Sequence, residues 1–382
     1  MNPNIQIALM LHAYQPPTQT ETMLNKIYVE SYGPLISLLE REPNVFFSID
    51  IAKSLGERLP ANFLKRIATL YENKRLELVN TFAYHYLGPL TPKDFIKRQL
   101  TQNEEFYREH FIGRDALPGI FPPELAYSGE MADAFSELHY RWCLADDEPF
   151  VRMRHALPEI ERAPFDWIPA PKGNPVILRS GMRSKEIAFK KYGDPARFAD
   201  TIIDSHGDWG RRLEGNRTKG YIILALDAET FGHHHHGMIE DFLLPFANRI
   251  AERKDEAKIV SIDHIFQSFR KKAAFVPKGS WSTGEDPNPY PLWDHPRNPF
   301  HQAWKEFLDI AYSLVPSHLE GELKLLYDTS FYSCTPWQFS MGNNNIARWC
   351  LFNFTRIADL QPDGYEKDRL KELIAIMNRL TT

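Results

Sequence analysis

Asp227 and Glu229 follow the apolar run Tyr221–Ala225 in the stretch LDAETFGHHHH (226–236), and four histidines complete it. A carboxylate delivered by a buried strand is costly unless it is paired, hydrogen-bonded or put to chemical use. Three readings fit the stretch: a metal site, a carboxylate acid/base site, or a polar loop at the rim of a cleft. Glu124, at the end of GIFPPE (119–124), raises the same question more sharply. Pro122 and Pro123 restrict the backbone that aims it, and Glu is a poor helix N-cap, so capping does not explain it. The same criterion, a polar group just beyond an apolar run, selects His12 and Gln15, Asp50, Asp146, Asp147 and Arg179. It also selects TFAYHY (81–86) with Tyr84, which follows a run carrying Glu77 inside it. Asp146, Asp147 and Asp263 are read as helix N-caps.

Two carboxylates on different strands of one rim are what glycoside hydrolysis requires. One attacks the anomeric carbon and the other protonates the leaving oxygen. Aromatic residues near the strand ends or in later loops (Tyr14, Phe82, Tyr84, Tyr86, Trp281, Trp293 and Trp337) then have a use as platforms for sugar rings. Metal ligation from the histidine tract needs alternate residues, such as His233 with His235, plus ligands from His12, His85 or Asp227. A metal-dependent polysaccharide deacetylase would carry an Asp pair after its first strand and an H-x-x-x-H motif, and neither is present. No metal or other cofactor is expected, and the histidines read as rim residues, with one touching a sugar hydroxyl or the acid/base carboxylate.

The elements that must position these groups are short, near-continuous apolar runs, as strands covered on both faces should be. They lie at 5–11, 45–49, 75–79, 118–121, 141–145, 175–179, 221–226 and 258–262. Most are followed by amphipathic stretches such as 23–42, so the predicted class is α/β with parallel strands and right-handed crossovers. Seven or eight such units favour a closed barrel, and no dinucleotide or Walker glycine pattern supports an open nucleotide-binding sheet. After about residue 275 a Pro-, Gly- and aromatic-rich segment (279–302) leads into helical patterns at 300–328, 344–361 and 365–381. The predicted organisation is a catalytic barrel over 1–275 and a loop plus C-terminal helical bundle over 276–382.

Composition sets the outer bounds. The 382 residues are 43% hydrophobic and 25% charged, enough for a sizeable core. A net charge of −5 argues against a general nucleic-acid binder. Three cysteines without a CxxC indicate neither a disulfide framework nor a thiolate zinc site. No apolar stretch approaches membrane-spanning length, and the N-terminus lacks a basic leader. A cytoplasmic enzyme with no membrane or nucleic-acid partner is expected; oligomeric state leaves no mark in the sequence.

In this order, HAYQPP (12–17), RLELVNTFAYHY (75–86), GIFPPE and LALDAETFG (224–232) resemble the successive motifs of glycoside hydrolase family 57. VILRSGMRSKEIAF and GSWSTG…WDHPRN are also similar to family segments, so the resemblance runs from residue 5 to about 350. It implies a distorted, TIM-like (β/α)7 barrel with a C-terminal helical region, and a retaining enzyme acting on α-linked oligo- or polysaccharides by hydrolysis or transfer. It further implies that Glu124 is the nucleophile and Asp227 the general acid/base, with His12 and Gln15 lining the sugar subsite and Glu77 matching the carboxylate of the second motif. Trp337 would close the cleft from the helical side; Tyr84, Arg179, Glu229, His233 and Trp281 complete the expected substrate contacts. The chain departs from the family at Lys74-Arg75 before Leu76-Glu77, at Phe121 in place of a Trp, and at Leu125 after the carboxylate. A carbohydrate-binding relic of the fold, without catalysis, is the non-enzymatic alternative.

Overall fold

The computed structural model describes residues 5–113, 115–150, 152, 166–212, 219–315 and 319–382. Its strands, in chain order, are β1 (Ile5–Ala13), β2 (Ser48–Ile51), β3 (Glu77–Leu78), β4 (Gly119–Ile120), β5 (Trp142–Asp146), β6 (Trp167–Pro169), β7 (Val176–Arg179), β8 (Gly220–Asp227), β9 (Ala257–Ile259) and β10 (Arg270–Lys272). All strand pairings are parallel, in the orders β3-β2-β1-β8, β4-β5-β7 and β10-β6.

Two backbone links close the larger groups into a ring. Asn80, just past β3, bridges Ile120 of β4, and the Ser180 amide beyond β7 donates to the Ile223 carbonyl of β8 at 2.8 Å. The result is a seven-strand barrel, β8-β1-β2-β3-β4-β5-β7, of the (β/α)7 type. The run at 258–262, expected as a barrel strand, contributes only β9. It pairs with the first residues of β1, below the reach of β2. Chain beyond it turns at once into the helix Ile262–Ser268, because the Ser261 hydroxyl caps that helix by accepting from the His264 amide. The small β6–β10 pair was not expected: Arg270, Lys271 and Lys272 are all exposed and present no apolar signal.

Alternation along the strands divides the interior into layers. Ala8 and Met10 of β1 point into the barrel with Val79, Phe121, Leu144, Ile177, Tyr221 and Ile223. Ile7, Leu9 and Leu11 face outward onto the helices, with Leu35, Leu39, Phe242 and Phe246. The helices Pro299–Ser313 and Tyr365–Leu380 do not enclose a core of their own. Phe300, Trp304, Phe307, Leu370 and Met377 share one apolar cluster with Phe82, Tyr86, Phe95 and Ile120 of the barrel side. The helical region is therefore seated against the segments that follow β3 and β4.

Candidate active site

At the C-terminal ends of three adjacent strands, register sets Asp50 of β2, His12 of β1 and Asp227 of β8 side by side. His12 Nδ1 lies 2.8 Å from Asp50 Oδ2, and both side chains are buried. Burial disfavours the imidazolium, but the Asp50 carboxylate outweighs it, with smaller help from Asp227 and Glu229. His12 is thereby raised to about 9. His12 Nε2 meets His85 Nε2 at 2.9 Å. Desolvation, and then the neighbouring His12, push His85 well below the ordinary histidine range, so His85 is neutral. The rings form a packed floor: Tyr14 stacks on His85 at 3.8 Å between centroids, and Phe121 on His12 at 4.6 Å.

Glu124 follows β4 on a turn that the two prolines lead into. Its φ of 61° lies in the left-handed region, as does that of Leu125 at 46°. Backbone of this kind costs roughly 1–3 kcal/mol per residue and is found where the surroundings fix it, commonly at functional sites. Both carboxylate oxygens are held. Ser333 Oγ donates to Oε1 at 2.8 Å and Trp281 Nε1 to Oε2 at 2.8 Å. The Trp281 amide also donates to the Glu124 carbonyl, at 3.1 Å. Burial lifts the carboxyl to about 7 and the charge of Asp227 adds to the rise, while Ser333, His12 and Trp281 oppose it.

Asp227 is the opposite case. It is only partly buried, and its carboxylate accepts no hydrogen bond from the described residues. Glu229, two residues on, is buried and gripped by Tyr32 Oη and, at 2.7 Å, by Gln15 Nε2. Burial and the charge of Asp227 raise it to about 7. The loop that carries them turns back just beyond, at Gly232, whose φ is 121°. The histidines are tied elsewhere: His233 Nδ1 to Glu30 at 2.6 Å and His235 Nε2 to the Ala188 carbonyl at 2.8 Å. Burial lowers His234, and the Asp227 charge works against that fall. Among the described residues no three His, Cys, Asp or Glu side chains are grouped to hold a metal ion.

Of the residues singled out in the sequence, His12, Gln15, Glu124, Asp227, Glu229 and Trp281 converge here. Arg179 lies beneath them, its Nε bonded to Asp146 at 2.6 Å and its guanidinium 5.3 Å from the Trp281 ring centre. Trp337 is partly exposed and packs on the cluster of Leu87, Ala126, Tyr290 and Trp293 that also supports Trp281. Three expected substrate contacts are placed elsewhere. Glu77 sits one pleat deeper, in register with Ser48 and hence with Met10. There it accepts from the Ile262 and Asp263 amides at 2.8 and 2.9 Å, serving the N-terminus of a helix rather than the rim. Tyr84 is buried in the cluster shared with the helical region. The φ of 59° at the next residue turns His85 into the site in its stead. His233 is bonded to Glu30, away from the carboxylates.

The sequence reading missed the roles of Asp50, Tyr32, His85 and Ser333. Asp50 and His85 had a signal, since both follow apolar runs of the sequence, at 45–49 and 75–79. Ser333 and Tyr32 had none, because their proximity arises only from packing.

The sequence profile of glycosyl hydrolase family 57 matches residues 6–277. Curated relatives include an α-amylase of Pyrococcus abyssi, 24% identical over 39% of this chain and 23% of its own length. An α-amylase of Niallia circulans is 20% identical over 65% of this chain and 19% of its own. The chain thus spans about a quarter or less of these relatives. Among solved structures, a branching enzyme from Pyrococcus horikoshii superposes with a TM-score of 0.70 at 17% identity, over 99% of this chain and 95% of that one. A 4-α-glucanotransferase from Thermococcus litoralis gives 0.73 at 13% identity, over 95% and 61%. An α-amylase from Thermotoga maritima gives 0.65 at 14%, over 99% of each.

Proposed function

Because the chain belongs to glycosyl hydrolase family 57, we propose that it is a retaining glycoside hydrolase or transglycosylase acting on α-linked glucans, with Glu124 as nucleophile and Asp227 as general acid/base. The observation that carries this reading is the contrast between the two carboxylates. Glu124 is aimed by a strained turn, with a donor on each oxygen, as an attacking group should be. Asp227 stands at the end of its strand with no described donor on it, free to exchange a proton with a substrate oxygen.

In the first step a Glu124 oxygen forms a bond to the anomeric carbon while the glycosidic C–O bond breaks, and Asp227 gives its proton to the departing oxygen. In the second, Asp227 takes the proton of a water or an incoming sugar hydroxyl as that oxygen bonds to the anomeric carbon and the ester to Glu124 breaks. Two inversions leave the anomeric configuration unchanged. Trp281 and Trp337 supply flat apolar faces beside this centre for the sugar rings. The substrate is an oligo- or polysaccharide taken from solution. No helix among the described residues is long and apolar enough to cross a membrane.

Product analysis on a panel of amylose, maltooligosaccharides, pullulan and α-galactosides, with the anomer followed by NMR, tests the proposal. The expected result is turnover of an α-glucan with retention, and loss of about 10³-fold or more in kcat for Glu124→Gln and for Asp227→Asn. Full turnover by Glu124→Gln would remove it as the nucleophile.

A further inference from the structure

Ser333 occupies the N-cap position of the helix Cys334–Ser340, where a serine hydroxyl ordinarily accepts from a backbone amide of the first turn. Here it caps nothing. It is fully buried and lies between two groups of the barrel, 2.8 Å from His85 Nδ1 and 2.8 Å from Glu124 Oε1. Its amide donates to the His85 carbonyl at 3.0 Å, which fixes the hydroxyl in place. A local rule broken without a local gain marks a residue held for another purpose.

Donor accounting gives the contacts a direction. An ionised Glu124 only accepts, so Ser333 donates to it and must itself accept from His85 Nδ1–H. His85 then presents a bare Nε2, which the Nε2–H of His12 fills, and the other ring proton of His12 goes to Asp50. One proton arrangement therefore satisfies every contact from Asp50 to Glu124, with His12 as the imidazolium. The neutral state of His85 and the charged state of His12, read from their surroundings, agree with it. Placing a proton on Glu124 Oε1 within this chain reverses each link and takes the charge from His12.

We propose that Ser333 is a positioning residue: through it the helical region joins Asp50, His12 and His85 to Glu124, and holds that carboxylate aimed and ionised for attack. The proposal rests on the reading of Glu124 as nucleophile. The other groups that face Glu124 are Asp227 from β8, Tyr14 beyond β1, Cys334 beside Ser333, and Trp281. His85 Nδ1 is also 3.9 Å from Oε1. Asp227 works against ionisation, and the Ser333 chain opposes it.

The test is the titration of Glu124 in the intact protein, by NMR of carboxyl-labelled glutamate assigned with Glu124→Gln, beside kinetics on the α-glucan that the wild type turns over. Ser333→Ala is expected to raise the Glu124 midpoint by about one pH unit, with kcat lowered about tenfold at pH 7, KM within about twofold and the acid limb of the rate profile shifted upward. Ser333→Thr, which keeps the hydroxyl, restores both. Asp50→Asn, at the far end and leaving Ser333 intact, is expected to shift the midpoint the same way. It decides the matter if Ser333→Ala does not fold. An unchanged midpoint in folded Ser333→Ala or Asp50→Asn would overturn the proposal. Retained turnover in Glu124→Gln would instead overturn the assignment of the nucleophile, while the titration still shows whether the chain sets its charge.

Discussion

Trp281 gives Glu124 Oε2 its described donor and at the same time lays its ring near the Arg179 guanidinium. Trp281→Phe keeps a six-membered aromatic ring but removes the pyrrole part of the indole, and with it the N–H donor. The lost donor favoured the charged carboxylate, so the Glu124 midpoint, near 7 in the native site, moves up. The expected outcome is a rate reduced about tenfold at pH 6 and less at pH 8, read from kcat against pH. At this scale the sequence was legible where a side chain ends an apolar run. Glu124, Asp227 and His12 were selected on that ground and do meet. It misled at Tyr84 and Glu77, because a single left-handed residue, or one pleat of depth, redirects a side chain and leaves no trace in residue type. The four histidines drew attention by their number, yet Glu30 and the Ala188 carbonyl absorb two of them.

The element that carries Asp227 depends on a turn only glycine can make. At Gly232, with φ of 121°, an added Cβ would stand 1.8 Å from the Glu30 carbonyl oxygen. Gly232→Ala is expected to cost about 2–4 kcal/mol and to lower the melting temperature by several degrees, with a further loss of activity as the 227–231 loop shifts. Gly129→Ala, where no atom lies within 4 Å of the new Cβ, is the control and should melt within about two degrees of the wild type. Scanning calorimetry compares the two. Strands β1 and β8 were legible as long apolar runs because both faces are buried. β3 and β4 are only two residues long, and their limits are set by partners rather than by their own composition. The 258–262 run failed as a barrel strand because Ser261 starts a helix within it.

Across the molecule, burial raises Glu77, Glu124, Glu229 and Asp147 to about 7. A folded-state value above the unfolded one means that the native state binds protons the unfolded chain has already lost. Stability from these groups is therefore full below about pH 4 and is lost as pH rises through 7. Below about 6.5, His85 and His301, both lowered by burial, oppose the gain because the unfolded chain protonates them first. Urea unfolding is expected to give a higher free energy at pH 6.5 than at pH 8. Glu77→Gln should flatten that slope by up to about 1.4 kcal/mol per pH unit. Equal slopes would mean that the helix amides and Ser48 keep Glu77 ionised throughout. The barrel and the helical region were each legible in the sequence; their shared apolar cluster was not, since amphipathic spacing names a buried face but not its partner.

The bond between Glu124 and Ser333 spans 209 positions of chain. A ribosome making this protein completes all seven barrel strands before Ser333 leaves the exit tunnel. On the proposed reading of Glu124 as nucleophile, the nascent barrel carries that carboxylate before its charge is secured, and full activity waits for the helices to dock. Exchange of that helical segment between relatives would then reset the speed of the chemistry as well as the shape of the cleft.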